Sequence, residues 1–141
     1  MLGVDLGTRR IGLAISDATG TLATPLAVLP RASNPALDHQ AIVATALEEE
    51  AQQIVVGLPR SLSGHDGPAA RSVRDEVVEL RAAAGEHLPV ELHDERFTTV
   101  TATRQLREAG RRRVRDSVDA AAAAVILQSY LDGPGRTRRN G

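Results

Sequence analysis

Three strand-like segments stand in a row before the first helical pattern of this chain, and that order constrains its fold more than any other feature. Leu2 to Asp5 is a short apolar run ending in an acid, Gly7 supplies a turn, and Ile11-Gly12-Leu13-Ala14-Ile15-Ser16 forms a second run. The pair reads as a hairpin. A third strand is expected through Leu22 to Leu29, broken near Pro25. The pattern then changes. Asn34-Pro35 offers an N-cap residue followed by Pro at the first helical position, opening a helix that should run to about Gln52. Ile54-Val55-Val56-Gly57 is continuously apolar and β-branched, the signature of a buried parallel strand. Pro68 opens a second helix, with Val73, Val77, Leu80 and Ala84 at helical spacing and Gly85 as its stop. Pro89 to His93 is the last strand. Thr98 or Thr99 caps a third helix ended by Gly110, and Asp116 or Ser117 caps a fourth reaching Tyr130 or Leu131. The order βββαβαβαα implies an α/β fold with a mixed five-stranded sheet, three strands antiparallel and the rest parallel, with helices on both faces.

Composition narrows what fills and surrounds that sheet. Phe97 and Tyr130 are the only Phe, Tyr or Trp residues, so Ala, Val, Leu and Ile must build the core, which suits helices packed closely on a sheet. A chain of 141 residues supports one domain, expected over residues 1–132. Residues 133–141, rich in Gly, Pro and Arg, carry no apolar period and are expected to form a flexible basic tail. The absence of Cys excludes disulfides, thiolate metal sites and cysteine nucleophiles, leaving oxygen or imidazole for any metal. No stretch reaches the roughly 18 apolar residues of a membrane span, and the first residues lack a signal pattern. A soluble, cytoplasmic protein is expected.

The formal net charge of −1 hides a local excess: in residues 104–115 six arginines face the single acid Glu108. Arg111, Arg112, Arg113 and Arg115 form a loop suited to a nucleic-acid backbone. Three acids complement it. In sheets of this kind, sites collect beyond the carboxyl ends of the strands, where Asp5 and Glu95 both fall. Asp119 would join them from the first turn of the closing helix. Two carboxylates about 4 Å apart repel by about 4 kcal/mol at an effective dielectric near 20, so converging acids hold protons or cations. With no Cys present, Mg²⁺ or Mn²⁺ suits such a set, and phosphodiester hydrolysis is the chemistry it serves. Each acid also has a plainer reading. Asp5 alone could serve the Gly7 turn, Glu95 could pair with an arginine, and Asp119 or Asp116 could favour a helix N-terminus.

Four blocks in order resemble the YqgF (RuvX) family. Asp5-Leu6-Gly7-Thr8-Arg9-Arg10-Ile11-Gly12-Leu13-Ala14-Ile15-Ser16-Asp17 is similar to its first motif, and Val56-Gly57-Leu58-Pro59 with Gly64 and Gly67 to its second. Asp94-Glu95-Arg96-Phe97-Thr98-Thr99 and Asp119 through Ala122, Ala123 and Ile126-Leu127-Gln128-Ser129-Tyr130-Leu131 resemble the third and fourth. The resemblance implies an RNase H-like fold. It also implies an Mg²⁺-dependent nuclease that processes the 5′ end of pre-16S rRNA, with Asp5, Glu95 and Asp119 as the acidic triad and Asp119 preferred over Asp116. The family pattern usually has several residues ahead of the strand that Met1 begins here.

Further contacts with nucleic acid are expected from Arg10 and Arg96, and from Ser61 and Ser63 in the Gly-rich loop before Pro68, whose backbone can approach phosphate. Expected partners are precursor rRNA and ribosomal particles, with the protein a monomer or homodimer. Alternatives are a Holliday-junction resolvase on branched DNA and a non-catalytic RNA-binding ribosome-assembly module. The first motif also resembles the phosphate turn of actin-like ATPases, which need two lobes and a longer chain. His93 faces away from Asp94 by strand alternation and is expected to be structural. The Ala120 to Ala124 run is expected to be a close-packing helix face.

Overall fold

The computed structural model describes residues 1–59, 66–95 and 112–133, with residues 112–118 described as backbone only. The elements are β1 (Leu2–Leu6), β2 (Arg10–Ser16), β3 (Ala23–Pro30), α1 (Pro35–Glu48), β4 (Ile54–Leu58), α2 (Pro68–Ala84), β5 (Val90–Asp94) and α3 (Arg112–Asp132). The expected helix between Thr98 and Gly110, and all of the expected tail over 133–141 except Gly133, lie outside the described residues. One sheet holds all five strands in the order β3-β2-β1-β4-β5. β1 pairs antiparallel with β2, and β2 with β3, while β1–β4 and β4–β5 are parallel. This is the mixed sheet the element order implies.

Strand alternation divides the core into two layers. Leu2, Val4, Ile11, Leu13, Ile54, Val56, Leu58 and Val90 face α1 and α2, where Ile42, Ala46, Val73, Val77 and Leu80 complete one cluster. The opposite face carries Ala14 and Val55 against Ala123, Ile126, Leu127 and Leu131 of α3. Helices therefore cover both faces. Glycines let α3 come close: a Cβ on Gly3 would lie 2.7 Å from the Leu127 Cβ, and one on Gly12 would strike the Asp119 carbonyl oxygen. Ala120, Ala122 and Ala123 are buried, as a close-packing helix face requires.

Several element boundaries differ from expectation for identifiable reasons. β3 is not broken at Pro25 but bulged there. The register steps from Leu13↔Ala27 to Ala14↔Pro25, skipping Leu26, and an edge strand accommodates a residue with no N–H. α1 begins as expected, with the Asn34 Oδ1 accepting the Ala36 N–H at 3.0 Å, but stops at Glu48 rather than near Gln52. Glu50 takes φ 57°, the Ala51 N–H bonds the Ala46 oxygen at 2.8 Å, and the Glu50 N–H bonds the Leu47 oxygen at 3.1 Å. That pair of bonds is a Schellman ending, formed without glycine so that Ala51 can pack on the core. Gly85, at φ 77°, ends α2 as expected. α3 starts at Arg112, so neither Asp116 nor Ser117 caps it, and Arg112, Arg113 and Arg115 lie on a helix rather than in a loop. Arginine is a good helix former, which lets the segment extend the last helix backwards.

Candidate active site

Asp5 leaves β1 directly opposite Gly12 in the β1–β2 ladder. By alternation it shares a face with Gly3, which touches α3, whereas Leu2 and Val4 enter the other layer. Across that ladder, the missing Cβ of Gly12 brings the Asp119 backbone down onto β2. Asp119 therefore sits in the interior of α3 and not in its first turn, which removes the capping explanation for this acid. It is buried, and Arg10, at the start of β2, extends its guanidinium to within 3.5 Å of the Asp119 Oδ2.

Glu95 reaches the same face from the other side. Its N–H donates to the Leu58 oxygen at 3.1 Å, continuing the parallel β4–β5 ladder one residue past β5. Its side chain turns over Gly57, where a Cβ would lie 2.5 Å from both the Glu95 Oε2 and the Ile126 Cδ1. Glu95 is buried, so Gly57 is the vacancy that accommodates a carboxylate between sheet and helix. Asp5 and Gly57 also line one cleft of about 650 Å³, together with Gly7, Thr8, Arg31 and the α2 acids Asp75 and Glu79.

Asp119 thus lies over Gly12, the ladder partner of Asp5, and Glu95 lies over Gly57, all three on the α3 side of the sheet and supplying oxygen donors alone. Among the described residues no three His, Asp or Glu side chains are gathered tightly enough to hold one ion as they stand. The donor chemistry matches a hard divalent cation. Ser61, Ser63, Arg96 and Arg111 lie outside the described residues, and Arg112, Arg113 and Arg115 are placed as helical backbone on the segment leading to Asp119.

His93 lies one pleat below Glu95, on the α3 side. Its Nε2 is 2.9 Å from the Ser129 Oγ, and its ring meets Tyr130 edge-on at 5.7 Å. Burial pushes its pKa below the ordinary value, against an opposing pull from Asp94. The Tyr130 hydroxyl donates to the Glu91 Oε2 at 2.7 Å and accepts from the Gln53 Nε2 at 3.0 Å, so this side of the interface is a packed polar seam.

The sequence reading missed Arg31, Glu76, Asp38 and His39. These four meet beside the cleft, the Arg31 guanidinium lying against both Glu76 oxygens and His39 bonding the Glu76 Oε2 at 2.9 Å. Nothing in their spacing signals it, because they come from the end of β3, α1 and α2.

Comparison with known proteins agrees with this architecture. Residues 1–133 match the family described as RuvX, Holliday junction resolvase. A protein of Rhodococcus erythropolis, provisionally named a pre-16S rRNA nuclease, is 43% identical over 145 residues, covering 99% of this chain and 81% of the relative. One from Anaeromyxobacter sp. with the same name is 48% identical over 134 residues, covering 94% of this chain and 96% of the relative. Among solved structures, RuvC of Thermus thermophilus aligns with a TM-score of 0.53 over 99% of this chain and 95% of that one, at 15% identity. That likeness shows the shared RNase H-like fold. The sequence match across nearly the whole chain shows the closer relationship: the protein belongs to the RuvX family.

Proposed function

We propose that this protein is a divalent-metal-dependent nuclease that hydrolyses phosphodiester bonds of precursor 16S rRNA in the cytoplasm. The observation that supports the reading is that Asp119 packs over Gly12, the ladder partner of Asp5, and the Glu95 carboxylate over Gly57, on the same side of the sheet. The names of relatives 43% to 48% identical support it. Asp5, Glu95 and Asp119 would hold Mg²⁺ or Mn²⁺, which when bound would activate water and stabilise the leaving oxygen. Arg10 offsets the charge of Asp119 and keeps its carboxylate aimed from α3 toward β2. The acids of the cleft wall, Asp75 and Glu79, repel a phosphate chain. A strand is therefore drawn toward Arg10, and toward Arg96, Arg111, Arg112, Arg113 and Arg115, with Ser61 and Ser63 as hydroxyl donors to phosphate.

The family description favours branched DNA as a second substrate. Purified protein with Mg²⁺ is offered a 5′-extended 16S precursor fragment and a four-way DNA junction, alongside Asp5→Asn. Cleavage of the RNA and a loss of at least about 100-fold in Asp5→Asn at unchanged melting temperature are expected, because removing one carboxylate weakens the metal site. Cleavage of the junction alone makes the protein a resolvase, and sizing then tells whether a homodimer presents two sites. RNA binding without cleavage makes it an assembly module. Equal cleavage by Asp5→Asn overturns the metal assignment.

A further inference from the structure

The turn that follows Asp5 is gripped from outside the sheet. The Gly7 N–H bonds the Asp5 oxygen at 3.1 Å, and a Cβ on Gly7 would lie 2.5 Å from the Arg10 oxygen, so the chain reverses tightly here. Arg31, just past β3, holds this reversal at two points. Its backbone N–H donates to the Arg9 oxygen at 2.9 Å and its side-chain Nε donates to the Gly7 oxygen at 2.8 Å.

The guanidinium is itself fixed by the opposite helical layer. It donates to both Glu76 oxygens from NH1 and NH2, at 2.5 and 2.9 Å, and NH1 also lies 3.3 Å from the Asp38 Oδ2. The Asp38 Oδ1 accepts the Ala32 N–H at 2.9 Å, and His39 approaches the Glu76 Oε2 at 2.9 Å. Arg31, Asp38, His39 and Glu76 are all largely buried. Buried ion pairs are commonly no more stabilising than apolar residues of the same volume, so stability alone does not account for four polar groups here. Their arrangement does something an apolar cluster cannot: it ties α1 and α2 to one backbone oxygen in the turn between Asp5 and Arg10.

We propose that Arg31, clamped by Glu76, Asp38 and His39, is a positioning residue that sets the Gly7 turn and through it the placement of Asp5 and Arg10. The link to activity rests on the nuclease reading above. Small displacements of a reacting group are costly, so a slack turn lowers turnover rather than binding.

The test uses three proteins: the parent, Arg31→Lys and the double variant Arg31→Met with Glu76→Met. Lysine retains the charge beside Glu76 but cannot serve the carboxylate and the Gly7 oxygen together. The double variant removes both charges at similar volume. Amide hydrogen exchange of Gly7, Thr8 and Arg9, melting temperature, kcat and KM on the cleaved substrate are measured. The double variant leaves the buried Asp38 without its Arg31 partner and should melt below the parent, so all proteins are compared well below their melting temperatures. The turn amides of the double variant should exchange about 10-fold faster, and kcat should fall about 10-fold or more at unchanged KM. Arg31→Lys should fall between the two, and it carries the same comparison if the double variant does not fold. Unchanged exchange in the turn overturns the proposal, as does a loss of activity that simply follows melting temperature. If the parent cleaves neither substrate, the nuclease reading fails, and the exchange measurement alone decides whether Arg31 holds the turn.

Discussion

Glu76 shows how much a single residue's surroundings decide. Burial works to raise its carboxyl pKa, but the hydrogen bonds from Arg31 and His39 outweigh burial and hold the group below its ordinary value of 4.5. A carboxyl held low in the folded state favours folding at pH values above its unfolded value. That contribution is lost as pH falls through the folded value. Melting temperature measured from pH 7 down to pH 3 should therefore drop more steeply for the parent than for Glu76→Gln, which has no carboxylate to protonate. Parallel curves would show that Glu76 does not carry this part of the acid sensitivity. Asp17 behaves alike at the surface, its carboxyl held low by the Thr21 and Leu22 amides of the turn between β2 and β3.

Among the elements, α3 against the sheet is the contact on which the site depends. Two of the three acids owe their position to missing side chains: Gly12 admits the Asp119 backbone, and Gly57 admits the Glu95 carboxylate beside Ile126. Gly12→Ala should cost about 1–3 kcal/mol as an overpacked interface. It should also lower nuclease activity by more than that loss of stability explains, because helix and Asp119 must move away from Asp5. Chemical denaturation together with kcat measured well below the melting temperature separates the two effects. An alanine variant with unchanged stability would mean that α3 sits further from β2 than described.

At the scale of the molecule, charge is distributed unevenly about a net value of −1. Acids of α2 line the cleft beside Asp5, while Arg112, Arg113 and Arg115 lie on the part of α3 that leads to Asp119. If about four of the arginines contact phosphates of single-stranded RNA, log affinity should fall with log salt at a slope of about −3. Replacing Arg112 and Arg113 by Gln should flatten that slope by about 1.4. Fluorescence anisotropy on a short RNA across a salt series measures both. An unchanged slope would exclude this segment from the interface.

The sequence by itself determined the order of the described elements, the hairpin, the buried parallel strand, the start of α1 at Asn34-Pro35 and the end of α2 at Gly85. Each is written in neighbouring residues, as a period of two or 3.6, a cap or a turn. It also put Asp5 and Glu95 at strand ends, and its motifs singled out Asp119. Only the tertiary structure decided that Gly12 and Gly57 are the floor beneath Asp119 and Glu95, that Asp119 lies inside a helix begun at Arg112, and that Arg31 meets Glu76 beside the Gly7 turn. The contacts among them join residues 38 to 107 positions apart. Sheet order and helix packing create them, and no local pattern in a chain encodes a distance between two of its elements.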